Sequence, residues 1–238
     1  MQTSNAMPQA LRIFTTNSSR AVLRHLIPEF ERTGGGKVEV SYDSGNESRA
    51  RIAKGETADL YISNAGTLDQ MAKQDQILNS SRRVFARYGV GLAVLAGAPK
   101  PDIGSVEAFR RTLLAARAIA YAEAGTSGIY FSGVTERLGI AAEVKAKART
   151  RPAGLIGGLV VDGEAEIAIQ QIPELLAVSG IDVVGPLPSE LQSISVKEIC
   201  VSTASKQKEK AQALLEFLTS AQAAPVFKAN GYESGAAA

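Results

Sequence analysis

The chain has 238 residues, of which 45% are hydrophobic and 21% are charged, so it is long enough to bury a core and has the composition of a globular protein. Its 26 basic and 24 acidic residues are interspersed and give a net charge of +2, which argues against a surface that follows a nucleic-acid backbone. The longest apolar stretches, such as residues 90–98, are much shorter than the roughly 20 residues that a helix needs to cross a bilayer.

Hydrophobic periodicity in the first part of the chain predicts alternating strands and helices. Ser18 or Ser19 is expected to cap the first helix, and the glycines at 34–36 are expected to end it. The predicted strands are 10–15, 37–42 and 58–63, and the predicted helices follow Ser19, pass through residues 50 and 52, and cover 66–74. This order favours a parallel sheet with helices on both faces.

The same alternation begins again after a long apolar strand predicted at 85–96. Further strands are predicted at 118–122, 166–171, 183–187 and 194–202, and helices at 106–114, 129–138, around residue 160, 206–220 and 221–229. We therefore predict an α/β protein of two lobes, with lobe I formed by 1–89 and 195–238, lobe II by 90–194, and hinge crossovers near 85–95 and 193–201. Ligands bind outside the carboxyl ends of parallel strands, so a cleft between the lobes is the expected binding site.

Three short runs of hydroxyls, amides and glycine follow predicted strands, at residues 18–19, 44–46 and 125–128. A helix N-terminus has unpaired N–H groups and a partial positive charge, which together attract an anion. The same residue types are also common in turns and caps of any protein. Three such runs in one chain indicate a protein that holds a small ligand.

No catalytic, metal or cofactor motif is recognised in the sequence. The single histidine, His25, is expected on the surface of the first helix, and the single cysteine, Cys200, in a buried strand. The run 125–128 lacks the order of a nucleophile elbow, and the glycines at 154, 157 and 158 lack the lysine of a P-loop. We therefore expect a protein that is not an enzyme and uses no cofactor.

Four stretches together resemble the molybdate-binding proteins of bacterial ABC importers, which have the type II periplasmic binding-protein fold. They are Ile13-Phe14-Thr15-Thr16-Asn17-Ser18, Ala58-Asp59-Leu60-Tyr61-Ile62-Ser63, Ser127-Gly128-Ile129-Tyr130 and the tail 223–232. The resemblance implies a two-lobed α/β fold with a mostly parallel sheet in each lobe. It also implies a tetrahedral dianion held by serine hydroxyls and backbone N–H groups, without a cationic side chain.

The resemblance also assigns ligand-binding positions, and two of them depart from the family pattern. Gly45 stands where the family has a serine, and Gln171, or Gln170 one residue earlier, stands where it has a tyrosine. A glutamine offers both a donor and an acceptor, which suits a ligand that carries a proton or an amide. The complete set of candidate ligand-binding residues is Asn17, Ser18, Ser44, Gly45, Asn46, Ser127, Ala153 and Gln171.

The resemblance implies a monomeric substrate-binding component of an ABC transporter, which takes a molybdate-like or tungstate-like oxyanion and delivers it to a membrane permease. The alternative is a sensor or carrier of the same fold that binds another small anion or a polar organic ligand. Residues 1–6 resemble a cloning remnant, and no signal peptide follows Met7. The family location is the periplasm, and the cytoplasm is the alternative.

Overall fold

Two β-sheets, each flanked by helices, organise the protein in a computed structural model that describes residues 9–43, 50–152 and 154–235. The chain divides into a first unit, which ends at Arg87 and resumes at Val196, and a second unit, Tyr88–Ser195. This architecture confirms the predicted α/β class. Within the described residues, no helix combines the length and the apolar character that crossing a membrane requires.

Most strands and helices lie close to their predicted positions. The strands are β1 Leu11–Thr16, β2 Val38–Asp43, β3 Leu60–Asn64, β4 Arg83–Tyr88, β5 Val90–Leu95, β6 Ile119–Ala122, β7 Ala148–Arg151, β8 Ile167–Gln171, β9 Ile181–Pro186, β10 Ser195–Val201 and β11 Glu233–Ser234. The labelled helices are α1 Arg20–Phe30, α2 Ala65–Lys73, α3 Val106–Ala115, α4 Thr126–Arg137, α5 Ala141–Ala146, α6 Gly158–Val161, α7 Ile172–Leu176, α8 Lys208–Leu218 and α9 Ala224–Ala229. Of these elements, β7, β11, α5 and α7 were not predicted.

The periodicity of α1 explains why this segment is helical. Its apolar residues recur three and four positions apart, and the side chains that they bury are Val22, Leu23, Leu26, Ile27 and Phe30. A single wider turn, Glu31–Gly35, follows, and Gly34 adopts a φ of 89° inside it. Because side chains other than that of glycine rarely tolerate this conformation, the helix ends where the sequence predicted.

The same trio of parallel strands occurs in each sheet. The first sheet has the order β11-β4-β10-β3-β1-β2, in which β1 pairs in parallel with both β2 and β3. In the second sheet, of order β7-β6-β8-β5-β9, β6 pairs in parallel with β7 and β8. In each trio the chain runs from the central strand to its neighbour on one side and then crosses to its neighbour on the other side. This reversal creates a crevice at the carboxyl ends of the strands.

The apolar run predicted as one strand at 85–96 is two strands, and that prediction is wrong. Strand β4 joins the first sheet and β5 the second, and the break falls at Gly89. A Cβ on Gly89 would lie 2.8 Å from the Cδ atom of Gln192. The Gln192 carboxamide accepts from the Val90 N–H and donates to the Val90 carbonyl, both at 2.9 Å. It therefore fills the space that a side chain at position 89 would need.

Two predictions about single residues are confirmed. Cys200 is fully buried, and burial raises the pKa of its thiol to about 12. His25 is exposed on α1.

Candidate functional site

In the second unit, a pocket of about 130 Å³ lies where β6 and β8 end and α4 begins. It is lined by Ala122, Gly125, Thr126, Ser127, Gly154, Gln170, Gln171 and Glu174. The first residues of α4 have no hydrogen bond from a capping side chain, because the N-cap residue is Gly125. The helix therefore presents the N–H groups of its first turn beside this pocket.

Gly128 brings the start of α4 against the end of β6. A Cβ at this position would lie 1.6 Å from the Ala122 carbonyl oxygen, so glycine alone permits the contact. One residue earlier, Ser127 is only 4% exposed and lines the pocket. No hydrogen-bond partner of its hydroxyl is found among the described residues, and the group is therefore available to a ligand.

The two adjacent glutamines at the end of β8 have different surroundings. Gln170 accepts from the Ile156 N–H at 2.9 Å and donates to the Gly154 carbonyl at 2.7 Å, so it holds the preceding loop in place. Gln171 is 8% exposed and lines the pocket, and its carboxamide has no partner within the described ranges. Of the two residues that the sequence left open, Gln171 is the one whose polar group is available.

In the first unit, a chain of hydroxyls lies at the carboxyl end of β1. Thr16 Oγ1 is 3.1 Å from Ser18 Oγ, and Thr15 Oγ1 donates to Ser19 Oγ at 3.0 Å. Ser19 occupies the N-cap position of α1, but its side chain caps no backbone N–H. Ser19 is therefore the N-cap residue, as predicted, but its hydroxyl accepts from Thr15 in place of a backbone N–H. The Tyr232 hydroxyl donates to the Ser18 carbonyl and fixes the turn.

Lys197 adds a positive charge to this cluster. It is 8% exposed, and its ammonium group donates to Thr16 Oγ1. Lysine is rarely buried to this extent, and among the described residues it is the only buried one with a charged side chain. In the register of β10 it lies opposite Asn64, where β3 also ends. The cation therefore lies at the carboxyl end of β3, beside the hydroxyls that follow β1.

Sequence reasoning missed Lys197 as well as Glu174, although a signal for the lysine was present. Lys197 shares the two-residue period of Ile199 and Val201, both of which are buried. A lysine on the apolar face of a strand is unusual and marks a position to inspect. Glu174 lies in α7, a short helix that the periodicity did not reveal.

The described structure thus brings Ser127 and Gln171 to one pocket and places Asn17 and Ser18 together in the turn before α1. The candidates Ser44, Gly45, Asn46 and Ala153 lie outside the described residues. The roles of all eight residues in ligand binding stay predictions.

Comparison with known proteins places this geometry in context. The sequence profile of a family described as bacterial extracellular solute-binding protein matches residues 11–233. A Pseudomonas sp. protein named aconitate isomerase is 33% identical over 227 residues, which are 93% of this chain and 86% of the relative.

Two solved structures share the fold at lower identity. The substrate-binding domain of a proposed molybdenum ABC transporter from Clostridium difficile has a TM-score of 0.79 and 20% identity, over 94% of this chain and 98% of the other. The periplasmic molybdate-binding protein of Azotobacter vinelandii has a TM-score of 0.72 and 18% identity, over 93% and 98%. At these identities the likeness shows the fold alone, so the ligand is not settled by it.

The expectation that the protein is not an enzyme is contradicted by the Pseudomonas relative. That relative is named for an isomerase activity and matches almost the whole of this chain. The expectation rested on the lack of a histidine, a metal cluster or a nucleophile motif. Isomerisation by proton transfer requires none of these, since a single carboxylate or amine can act as the base.

Proposed function

We propose that this chain binds aconitate and interconverts its cis and trans isomers. It belongs to the family of bacterial extracellular solute-binding proteins and has a relative named aconitate isomerase. The observation that carries the proposal is the 33% identity over 93% of the chain. Binding is assigned to the hydrogen-bond donors at the carboxyl ends of the parallel strands in each unit.

The donors described above suit a small anion with several carboxylates. Carboxylate oxygens accept hydrogen bonds, and hydrogen bonds to a charged acceptor are shorter and stronger than neutral ones. Ser127, Gln171 and the start of α4 offer neutral donors in the second unit. In the first unit, Ser18 and the Lys197 ammonium add a hydroxyl and a positive charge. We propose that each set binds carboxylate oxygens of aconitate.

The proposal is tested by incubating the purified protein separately with cis-aconitate and trans-aconitate and following each isomer by proton NMR. Isothermal titration with tricarballylate, the saturated tricarboxylate that cannot isomerise, measures binding without reaction. We expect each isomer to be converted to the other and tricarballylate to bind. If neither isomer changes and tricarballylate does not bind, the proposal is rejected.

A second candidate function is the capture of a molybdate-like or tungstate-like oxyanion for an ABC permease outside the cytoplasm. One observation favours it: no Lys or Arg occurs among the described residues that line the pocket of the second unit. Hydroxyl and N–H donors alone suit a tetrahedral dianion. Titration with molybdate, tungstate and sulfate under the same conditions discriminates the two functions. Tight molybdate binding by a protein that does not isomerise aconitate supports the second.

A further inference from the structure

Among the described residues that line the pocket of the second unit, one carries a group able to accept a proton from carbon at neutral pH. Its described lining consists of glycine, alanine, hydroxyl and carboxamide residues, together with Glu174. Serine, threonine and glutamine side chains are uncharged at neutral pH, whereas a glutamate side chain is ordinarily a carboxylate, which can accept a proton. The one titratable side chain in the described lining therefore stands beside the donors Ser127 and Gln171.

Local structure carries Glu174 to this position. Strand β8 ends at Gln171, which is the N-cap residue of α7, and Pro173 lies in the first turn of that helix. Glu174 belongs to the same turn, three residues after Gln171. The end of β8 thus places the Gln171 carboxamide at the pocket, and the first turn of α7, which follows directly and contains a proline, places the Glu174 carboxylate there.

A carboxylate in an anion pocket requires an explanation, because it repels an anionic ligand. Binding alone would be stronger without it. Proton transfer, by contrast, needs a basic group in contact with the reacting carbon. We propose, resting on the isomerase function above, that Glu174 is the proton-transfer group of the reaction.

The step is a shift of one proton between two carbons. The Glu174 carboxylate removes a proton from the methylene carbon of aconitate, and the electron pair of that C–H bond forms the new double bond. The former double bond opens, and its electrons are delocalised into the adjacent carboxylate. The Glu174 carboxylic acid then returns a proton to the former vinyl carbon, which yields the rearranged double bond as the other geometric isomer. No oxidant, reductant or co-reactant is consumed.

Donors around the pocket stabilise the charge that develops in this step. The negative charge moves onto carboxylate oxygens of the substrate, and the uncapped start of α4 and Ser127 line the same pocket and offer donors to these oxygens. The base and the charge-stabilising donors are therefore contributed by adjacent elements, α7 and α4.

The experiment compares Glu174→Gln and Glu174→Asp with the wild type in isomerisation and in tricarballylate binding. General acid–base catalysis contributes about 100- to 10,000-fold, so Glu174→Gln is expected to lower kcat by that factor. Because the substitution removes a negative charge, its tricarballylate affinity is expected to equal or exceed that of the wild type. Glu174→Asp keeps the carboxylate and is expected to retain part of the activity.

The matched control is Glu107→Gln. Glu107 also lies in the first turn of a helix of the second unit, but its side chain is 63% exposed. We expect this variant to isomerise at the wild-type rate. Thermal unfolding of every variant verifies that it is folded, and if Glu174→Gln fails to fold, the comparison is made with Glu174→Asp alone.

A substrate deuterated at the methylene carbon supplies a second readout, because the wild type must break that C–H bond. We expect the deuterated substrate to react more slowly. Wild-type activity in Glu174→Gln, weakened tricarballylate binding in a folded Glu174→Gln, or equal rates for the two isotopic substrates each overturns the assignment. Absence of isomerisation by the wild type would instead reject the isomerase function itself.

Discussion

Replacement of Ser127 by alanine is expected to weaken ligand binding without weakening the fold. The hydroxyl is buried in the lining of the pocket and bonds to none of the described residues, so its removal costs the free protein no hydrogen bond. Alanine also has a higher helix propensity than serine at the start of α4. We therefore expect the free energy of unfolding to stay the same or rise, by up to about 1 kcal/mol.

The affinity for the ligand, in contrast to the stability of the fold, is expected to fall in Ser127→Ala. A hydrogen bond to a charged group contributes about 1.5–3 kcal/mol, so Ser127→Ala should bind tricarballylate about 10- to 150-fold more weakly. Isothermal titration gives the affinity, and urea unfolding gives the stability. Ser132→Ala is the matched control, because Ser132 lies on the same helix, donates to the Gly128 carbonyl at 3.1 Å and does not line this pocket.

Two results would refute this reasoning. Unchanged affinity in Ser127→Ala would mean that the hydroxyl does not contact the ligand. A fall of more than about 1 kcal/mol in the free energy of unfolding would mean that the hydroxyl supports the fold, because a side chain without a partner has no such contribution to lose.

Four further predictions concern other parts of the molecule. Ser18→Ala should weaken binding by about 1–3 kcal/mol in a titration, with little change in unfolding, and unchanged affinity would remove Ser18 from the site. Gly128→Ala should lower the free energy of unfolding in urea by about 3 kcal/mol or more, because its Cβ would overlap a backbone oxygen of β6. Gly133→Ala on the same helix meets nothing within 4 Å and should instead be stabilising by about 0.5–1 kcal/mol, and equal effects would contradict the packing argument. Lys197→Met should bind tricarballylate about tenfold more weakly or worse, whereas Lys197→Arg should retain part of the affinity; wild-type affinity in the Met variant would show that the cation does not act on the ligand. Cys200 should resist iodoacetamide at pH 8 in the native protein and react after denaturation, as followed by mass spectrometry, because its pKa of about 12 disfavours the reactive thiolate; rapid native labelling would contradict its burial.

The alternation of strands and helices was predictable because it follows from the local periodicity of hydrophobic residues. The interruption of the strand at Gly89 was not, since the carboxamide that contacts this point belongs to Gln192, about a hundred residues away. A continuous run of apolar residues indicates burial, but it does not reveal where strand pairing breaks within the run.

The candidate functional residues were likewise predictable only in part. Ser127 was predictable from its position between a strand and a helix, whereas Glu174 lies in a five-residue helix whose pattern is too short to detect. Lys197 reaches the hydroxyl cluster after β1 through a strand that pairs with β3 from a distant part of the sequence. Pairings between remote segments leave no trace in local spacing, so a cation contributed in this way is found only in the folded chain.

The Gln192 side chain has a consequence for how the second unit is anchored. Its carboxamide binds the backbone at the first residue of β5, just inside the point where the chain enters this unit. Gln192 itself lies three residues before Ser195, where the chain leaves again. One amide therefore ties the segment by which the polypeptide enters this unit to the segment by which it leaves.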